Sequence, residues 1–269
     1  MSKYPKLKFK VYEGEEAPTG VFEWGASRKE IFDRFHEAQE IEEVGSAGFN
    51  LETILEDDPE FIDAYSSLGW MELDLFNYGN AFSFFMEGYS VGTAVIPKNY
   101  RGRIEWAHNE NRPFLRVMQG VGVTYLNIEE WDRAIKVFTD MLNYNPNDNQ
   151  GIRALLMQCY IAQGKFKEIL KLCDMFPDDI LPDMLYGKVM ACYRLYKKQQ
   201  AENALKQATE FSPNVAKELL KKKHKPPKDY SSEVVTVGGD DEAFDYWSRN
   251  GQFWTDPALL KFIEKGLKG

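Results

Sequence analysis

The chain has 269 residues, 43% of them apolar and 14% aromatic, with 42 acidic against 33 basic side chains and a net charge of −9. That content suits a folded globular protein and excludes a disordered one, and the negative balance argues against a general polyanion binder, because neutralising phosphates takes a positive surface. No apolar stretch approaches the roughly 20 residues of a membrane span and the first ten residues lack the apolar core of a secretory signal, so a cytoplasmic protein is expected.

Residues 6–12 alternate strictly, with Leu7, Phe9 and Val11 on one face as in a strand. The only other β-rich run is 233–237. The two are expected to pair or to lie as short edge strands, with disorder over residues 1–20 as the alternative.

A register then sets in. Pro146 and Pro213 are 67 residues apart, as are Ala134 and Ala201, which is two 34-residue periods less one residue. Ala81 to Ala134 spans 53, one period plus a 19-residue insertion. This is the arithmetic of tetratricopeptide repeats, in which two antiparallel helices pack closely and need small residues where their backbones meet. Residues 28–61 form a degenerate copy holding Ala47, Leu51, Leu55 and Pro59 in register, and 62–95 a regular one with Leu68, Gly69, Ala81, Phe85 and Gly88. Residues 115–148 match best: Gly122 and Ala134 are the small positions, Tyr125 and Phe138 fill the groove, and Pro146 ends the second helix. Residues 149–181 keep the helical period but are cut short at Pro177, and 182–215 give a further copy through Leu185, Cys192, Ala201, Leu205 and Ala208. The expected fold is all-α, a right-handed α-solenoid of four to five such pairs whose concave face is lined by the first helix of each.

The insertion 96–114 is the one stretch the repeat does not require. Arg103, Trp106, His108 and Arg112 concentrate chemistry there. In a structural reading Trp106 anchors the loop, Asn111 caps the next helix and Pro113 sits in its first turn; in a functional one the loop walls a ligand site. Arg116 and Gln119 open the next helix, and Arg153 with Gln150 follows one repeat on. A guanidinium pair from adjacent repeats, Arg116 and Arg153, is suited to hold a peptide carboxylate, against local pairing with Glu110 or Asp148.

The element Glu110-Asn111-Arg112-Pro113-Phe114-Leu115-Arg116, followed by Asn145-Pro146-Asn147-Asp148-Asn149-Gln150-Gly151-Ile152-Arg153, resembles a family of bacterial tetratricopeptide proteins in which two such elements flank one regular repeat. The likeness runs over residues 50–265. It implies an α-helical repeat protein and no enzymatic activity or cofactor.

Lys221, Lys222, Lys223, Lys225 and Lys228 surround His224 in a basic run that Pro226 and Pro227 mark as the solvated end of a helix entering a linker. Beyond it, one helix is expected from Asp240 through Trp247 and another from Pro257, and Trp247, Phe253 and Trp254 suit a cap over the last repeat. The expected division is an extension over 1–27, the solenoid over 28–227 and the cap over 228–269.

Chemistry is sparse. Cys159, Cys173 and Cys192 show no CxxC spacing and read as buried reduced thiols, the three histidines are too scattered for a metal site, and no nucleophile elbow, zinc helix or phosphate loop occurs. Only His108 with Glu110 offers an acid–base pair. The expected function is a non-enzymatic, cofactor-free scaffold whose groove holds a peptide or helix of another protein. Trp70, Arg116, Gln119, Arg153, Tyr186, Met190 and Tyr193 would make the contacts. Neither a membrane nor nucleic acid is expected as a partner, and self-association through the C-terminal cap is the alternative.

Overall fold

The computed structural model describes residues 4–25, 28–228, 230–231 and 234–268. They form two compact units, divided after Ile152, each built from the antiparallel helix pairs of a tetratricopeptide α-solenoid.

Unit 1 opens with a hairpin of β1 (Lys8–Tyr12) and β2 (Thr19–Glu23), in which Phe9 faces Phe22 and Val11 faces Gly20. Three pairs follow: α1 (Lys29–Gln39) with α2 (Val44–Asp57), α3 (Ile62–Asp74) with α4 (Tyr78–Val95), and α5 (Arg112–Asn127) with α6 (Trp131–Tyr144). Unit 2 holds α7 (Ile152–Ala162), which begins at the boundary, α8 (Phe166–Met175), α9 (Pro182–Arg194) and α10 (Lys198–Phe211). It closes with α11 (Pro213–Leu219), α12 (Asp240–Asn250) and α13 (Pro257–Lys268).

The strand expected over 6–12 therefore exists, but its partner is β2 and not 233–237. A six-residue connection makes the local pairing far cheaper in chain entropy than one across more than 200 residues. Val234, Val235 and Thr236 form no strand, and Met1–Lys3, Ser232 and Glu233 lie outside the described residues.

The four regular pairs turn in the same way. Phe76, Glu129, Gly164 and Tyr196 each take a left-handed backbone, with φ of 59°, 61°, 62° and 58°. The next amide in each case donates to the carbonyl five residues back, Asn77 to Glu72, Glu130 to Tyr125, Lys165 to Tyr160 and Lys197 to Cys192. This is the Schellman closure of a helix end. Only one of the four positions is glycine, so composition hides a turn that the backbone repeats.

Small residues set the helix spacing in both units. A Cβ on Gly69 would stand 2.5 Å from the Phe85 ring, and one on Gly120 2.3 Å from the same ring, so this one side chain of α4 needs bare backbone on both α3 and α5. Ala134 and Ala201 are fully buried at the corresponding close contacts. The three cysteines are buried and free, and burial pushes the Cys159 and Cys173 thiols up to about 12, which keeps them neutral.

Ion pairs tie down the terminal segments. In unit 1, Arg28 donates to both carboxylate oxygens of Asp58 at 2.5 and 3.2 Å and to the Trp24 carbonyl at 3.0 Å, with neither ionic side chain exposed. In unit 2, Arg249 of α12 grips Asp183 of α9 at 2.9 and 3.3 Å, and Asn250 adds a third bond at 3.0 Å.

Two substitutions test the spacing. Gly120→Ala and Ala134→Leu should each cost about 1–3 kcal/mol by overpacking a close contact, seen as a thermal midpoint several degrees lower; unchanged melting would contradict the register.

Candidate binding groove

In unit 1 the first helices α1, α3 and α5 and the inner side of α2 enclose a cleft of about 610 Å³, lined by Phe35, His36, Asp63, Trp70, Met71 and Arg116 among others. Asp63 and Trp70 are seven residues apart on α3, which puts them on one face two turns from each other. Trp70 is half-buried, with its ring edge-on to Phe85 at 5.4 Å, so the residue that spaces the helices also seats the tryptophan.

Arg116 reaches the cleft from the second turn of α5. Its guanidinium is 3.2 Å from Asp63 Oδ1 with 44% of the side chain exposed, and it lies over the Trp106 ring, 5.5 Å from the centroid. Arg112 stacks on the same ring at 5.3 Å and donates to the Trp106 carbonyl at 3.0 Å. The insertion thus fixes an arginine that gives one donor to Asp63 and stays partly open to solvent. Ser67 on the α3 wall accepts from Gln39 of α1 at 3.1 Å. The cleft offers an aromatic wall, a charged fork and hydroxyl groups, which is the chemistry of holding a polar chain.

The remaining sequence-derived residues are placed differently. Gln119 accepts from Gln150 at 2.8 Å at the neighbouring turn of unit 1. Arg153 belongs to unit 2, where it pairs with Asp179 and covers Phe176 at 5.3 Å. Both arginines have local carboxylate partners, Arg116 in Asp63 and Arg153 in Asp179. Tyr186 and Met190, expected to face a partner, are buried inside unit 2. The Tyr186 hydroxyl donates to Ser212 O at 2.7 Å and accepts from the Ala216 amide at 3.2 Å, while the Tyr246 and Trp254 rings cover it. The chain's own cap thus occupies the face that was assigned to a partner. Tyr193 is half-buried against Phe262 at 5.2 Å.

Within the insertion, Asn111 makes no side-chain cap on α5. Its fully buried amide brackets the hairpin instead, accepting from Phe22 N at 3.1 Å and donating to Gly20 O at 3.0 Å and Glu105 O at 3.1 Å. Arg103 pairs with Glu16, and its backbone exchanges bonds with Gly20 and Pro18. Pro113 does stand in the first turn of α5. His108 and Glu110 rim an open hollow of about 820 Å³ beside Trp24 and Phe32 rather than a closed pocket.

Sequence reasoning missed His36 and Asp63. An acid in the first turn of a helix is ordinary dipole chemistry, and only its seven-residue spacing from Trp70 hinted at a cleft. Burial pushes the Asp63 carboxyl up to about 6, with Arg116 and His36 opposing the shift. In the unfolded chain this carboxyl ionises near its ordinary 3.8. Below that pH it is protonated in both states and costs nothing. As the pH rises to 6 the unfolded chain gains more from ionisation, so this contribution to stability is lost and stays lost above 6. Asp63→Asn should remove that slope, improving on the native chain by on the order of 2–3 kcal/mol more at pH 7.5 than at pH 3.5. Urea titrations at the two pH values measure it.

The fold is shared with several solved helical repeat proteins. A tetratricopeptide repeat protein from Parabacteroides merdae superposes with a TM-score of 0.52 over 91% of this chain and all of its own, at 12% identity. YrrB, described as a TPR protein with an unusual peptide-binding site, gives 0.50 over 67% of this chain and 84% of its own at 15% identity. Pseudomonas aeruginosa PilF gives 0.50 over 67% and 75% at 14%. At such identities the likeness is one of fold. No curated protein matches the chain in sequence. A family model does, the transcriptional repressor TCF25, and it spans residues 63–269 from the Asp63 wall of the cleft to the last residue of the chain. The chain belongs to the TCF25 transcriptional repressor family.

Proposed function

We propose that the protein is a non-enzymatic scaffold whose unit 1 cleft holds a peptide or helix of another protein. The observation that carries this reading is the pair Trp70 and Arg116, one an aromatic wall and the other a solvent-open guanidinium held by Trp106 and Asp63, facing one 610 Å³ cleft. Aromatic and arginine side chains of this kind supply most of the energy in protein interfaces. Gln119, next along α5, would extend the contact.

The family's description fits a protein that represses through partners. A net charge of −9 opposes direct binding to a nucleic-acid backbone, so a repressor of this composition would work by engaging another protein. No helix among the described residues is long and apolar enough to cross a membrane.

Trp70→Ala and Arg116→Glu, each compared with the native chain in affinity capture from native lysate with mass spectrometry, test the cleft. Both should lose the same captured protein; because Arg116→Glu also strips the buried Asp63 carboxyl of its counter-charge, Arg116→Lys, which keeps that charge without the planar fork, is the variant expected to weaken capture at near-native stability. Retention of every captured species by both variants would sink the assignment. Arg153→Glu serves as the contrast: it breaks the Asp179 pair in unit 2 and should lower the melting temperature.

A further inference from the structure

We propose that the outer row of α10 in unit 2 is a self-association surface, pairing antiparallel with the α10 of a second copy of the chain. A cleft of about 1360 Å³ runs along this helix between the end of α9 and α13, with Leu205 and Ala201 as its floor and Tyr193, Tyr196 and Phe262 on its sides.

Lys198, Glu202, Lys206 and Glu210 line it, all exposed and each four residues from the next. That spacing forms one ridge of the helix, the kind that packs most often against a second helix. Lysine and glutamate four apart normally pair along their own helix, as Lys136 and Asp140 do on α6 at 2.7 Å. Among the described residues, none of the four on α10 has an ion-pair partner.

The order of the charges selects the partner. Set antiparallel, a second copy places Lys198 opposite Glu210 and Glu202 opposite Lys206, and the two-fold axis repeats both contacts; set parallel, every charge meets its like. A row that complements itself under a two-fold axis is what an isologous dimer uses. The start of the helix agrees: Tyr196, 94% exposed and held in a left-handed turn, lines the same cleft. An antiparallel copy brings the Tyr196 end of each helix to the Glu210 end of the other and removes the Tyr196 ring from water.

Sedimentation of the full chain tests this at concentrations up to about 100 µM, in about 0.05 M and about 0.5 M salt. The native chain should dimerise and dissociate more readily at high salt. The double variant K198E/K206E makes the row wholly acidic and E202K/E210K makes it wholly basic. Each alone should sediment as a monomer with native melting, and an equimolar mixture should form a heterodimer. A native chain that stays monomeric overturns the proposal. So does a dimer that persists in both double variants, or a mixture that remains monomeric; a different protein as the occupant would give the first of these results.

Discussion

Phe85 sets the geometry from which the unit 1 groove follows. Its ring takes the space that side chains on Gly69 and Gly120 would fill, so α3 and α5 can approach each other only where both are bare. Interiors packed as tightly as crystals have no slack to absorb an extra methyl there. The same ring supports Trp70, and the close passage of α5 beside α3 is what brings Arg116 within reach of Asp63. The spacing of a helix pair and the shape of the cleft are one constraint.

The N-terminal hairpin and the insertion solve a second problem together. Apolar residues of the N-terminal segment have to be covered, and here Phe22, Trp24 and Leu7 are buried, Phe22 against Phe114 of α5 and Trp24 against Phe61. What holds them is polar: the Asn111 amide on the β2 backbone, the Arg103 backbone bonds and the Arg28–Asp58 pair. Each of these buried polar groups finds a partner, which is the condition for burying it at all. The insertion thus serves two ends, clamping the hairpin through Asn111 and presenting Trp106 to Arg112 and Arg116.

Unit 2 covers its own last pair with α12. Tyr246 and Trp254 close over Tyr186, and Trp254 Nε1 donates to the Tyr246 hydroxyl at 3.0 Å. The irregular basic segment before α12 is held at His224, whose ring stacks on Trp247 at 3.8 Å and whose Nδ1 lies 2.9 Å from the buried Glu218. With the inner face of α9 filled, the open surface of this unit is the α10 side.

Residue spacing by itself determined the helix pairs, because a 34-residue register of small and large side chains permits only one way of stacking two helices per repeat, and even the shortened α8 was legible from Pro177. It also marked 96–114 as additional to the repeat and singled out Trp70 and Arg116, which line the unit 1 cleft. Tertiary structure alone decided the rest. Phe76, Glu129 and Tyr196 adopt turns that glycine usually signals, since the Schellman hydrogen bonds outweigh the local backbone preference. Asn111 reads as a helix cap, yet it turns to a strand some 90 residues earlier that local pattern cannot bring near. Tyr186 and Met190 carry the periodicity of an exposed face, and whether such a face meets a partner or the chain's own tail depends on contacts between distant segments. Periodicity shows which side of a helix must be covered; only the packed chain shows what covers it.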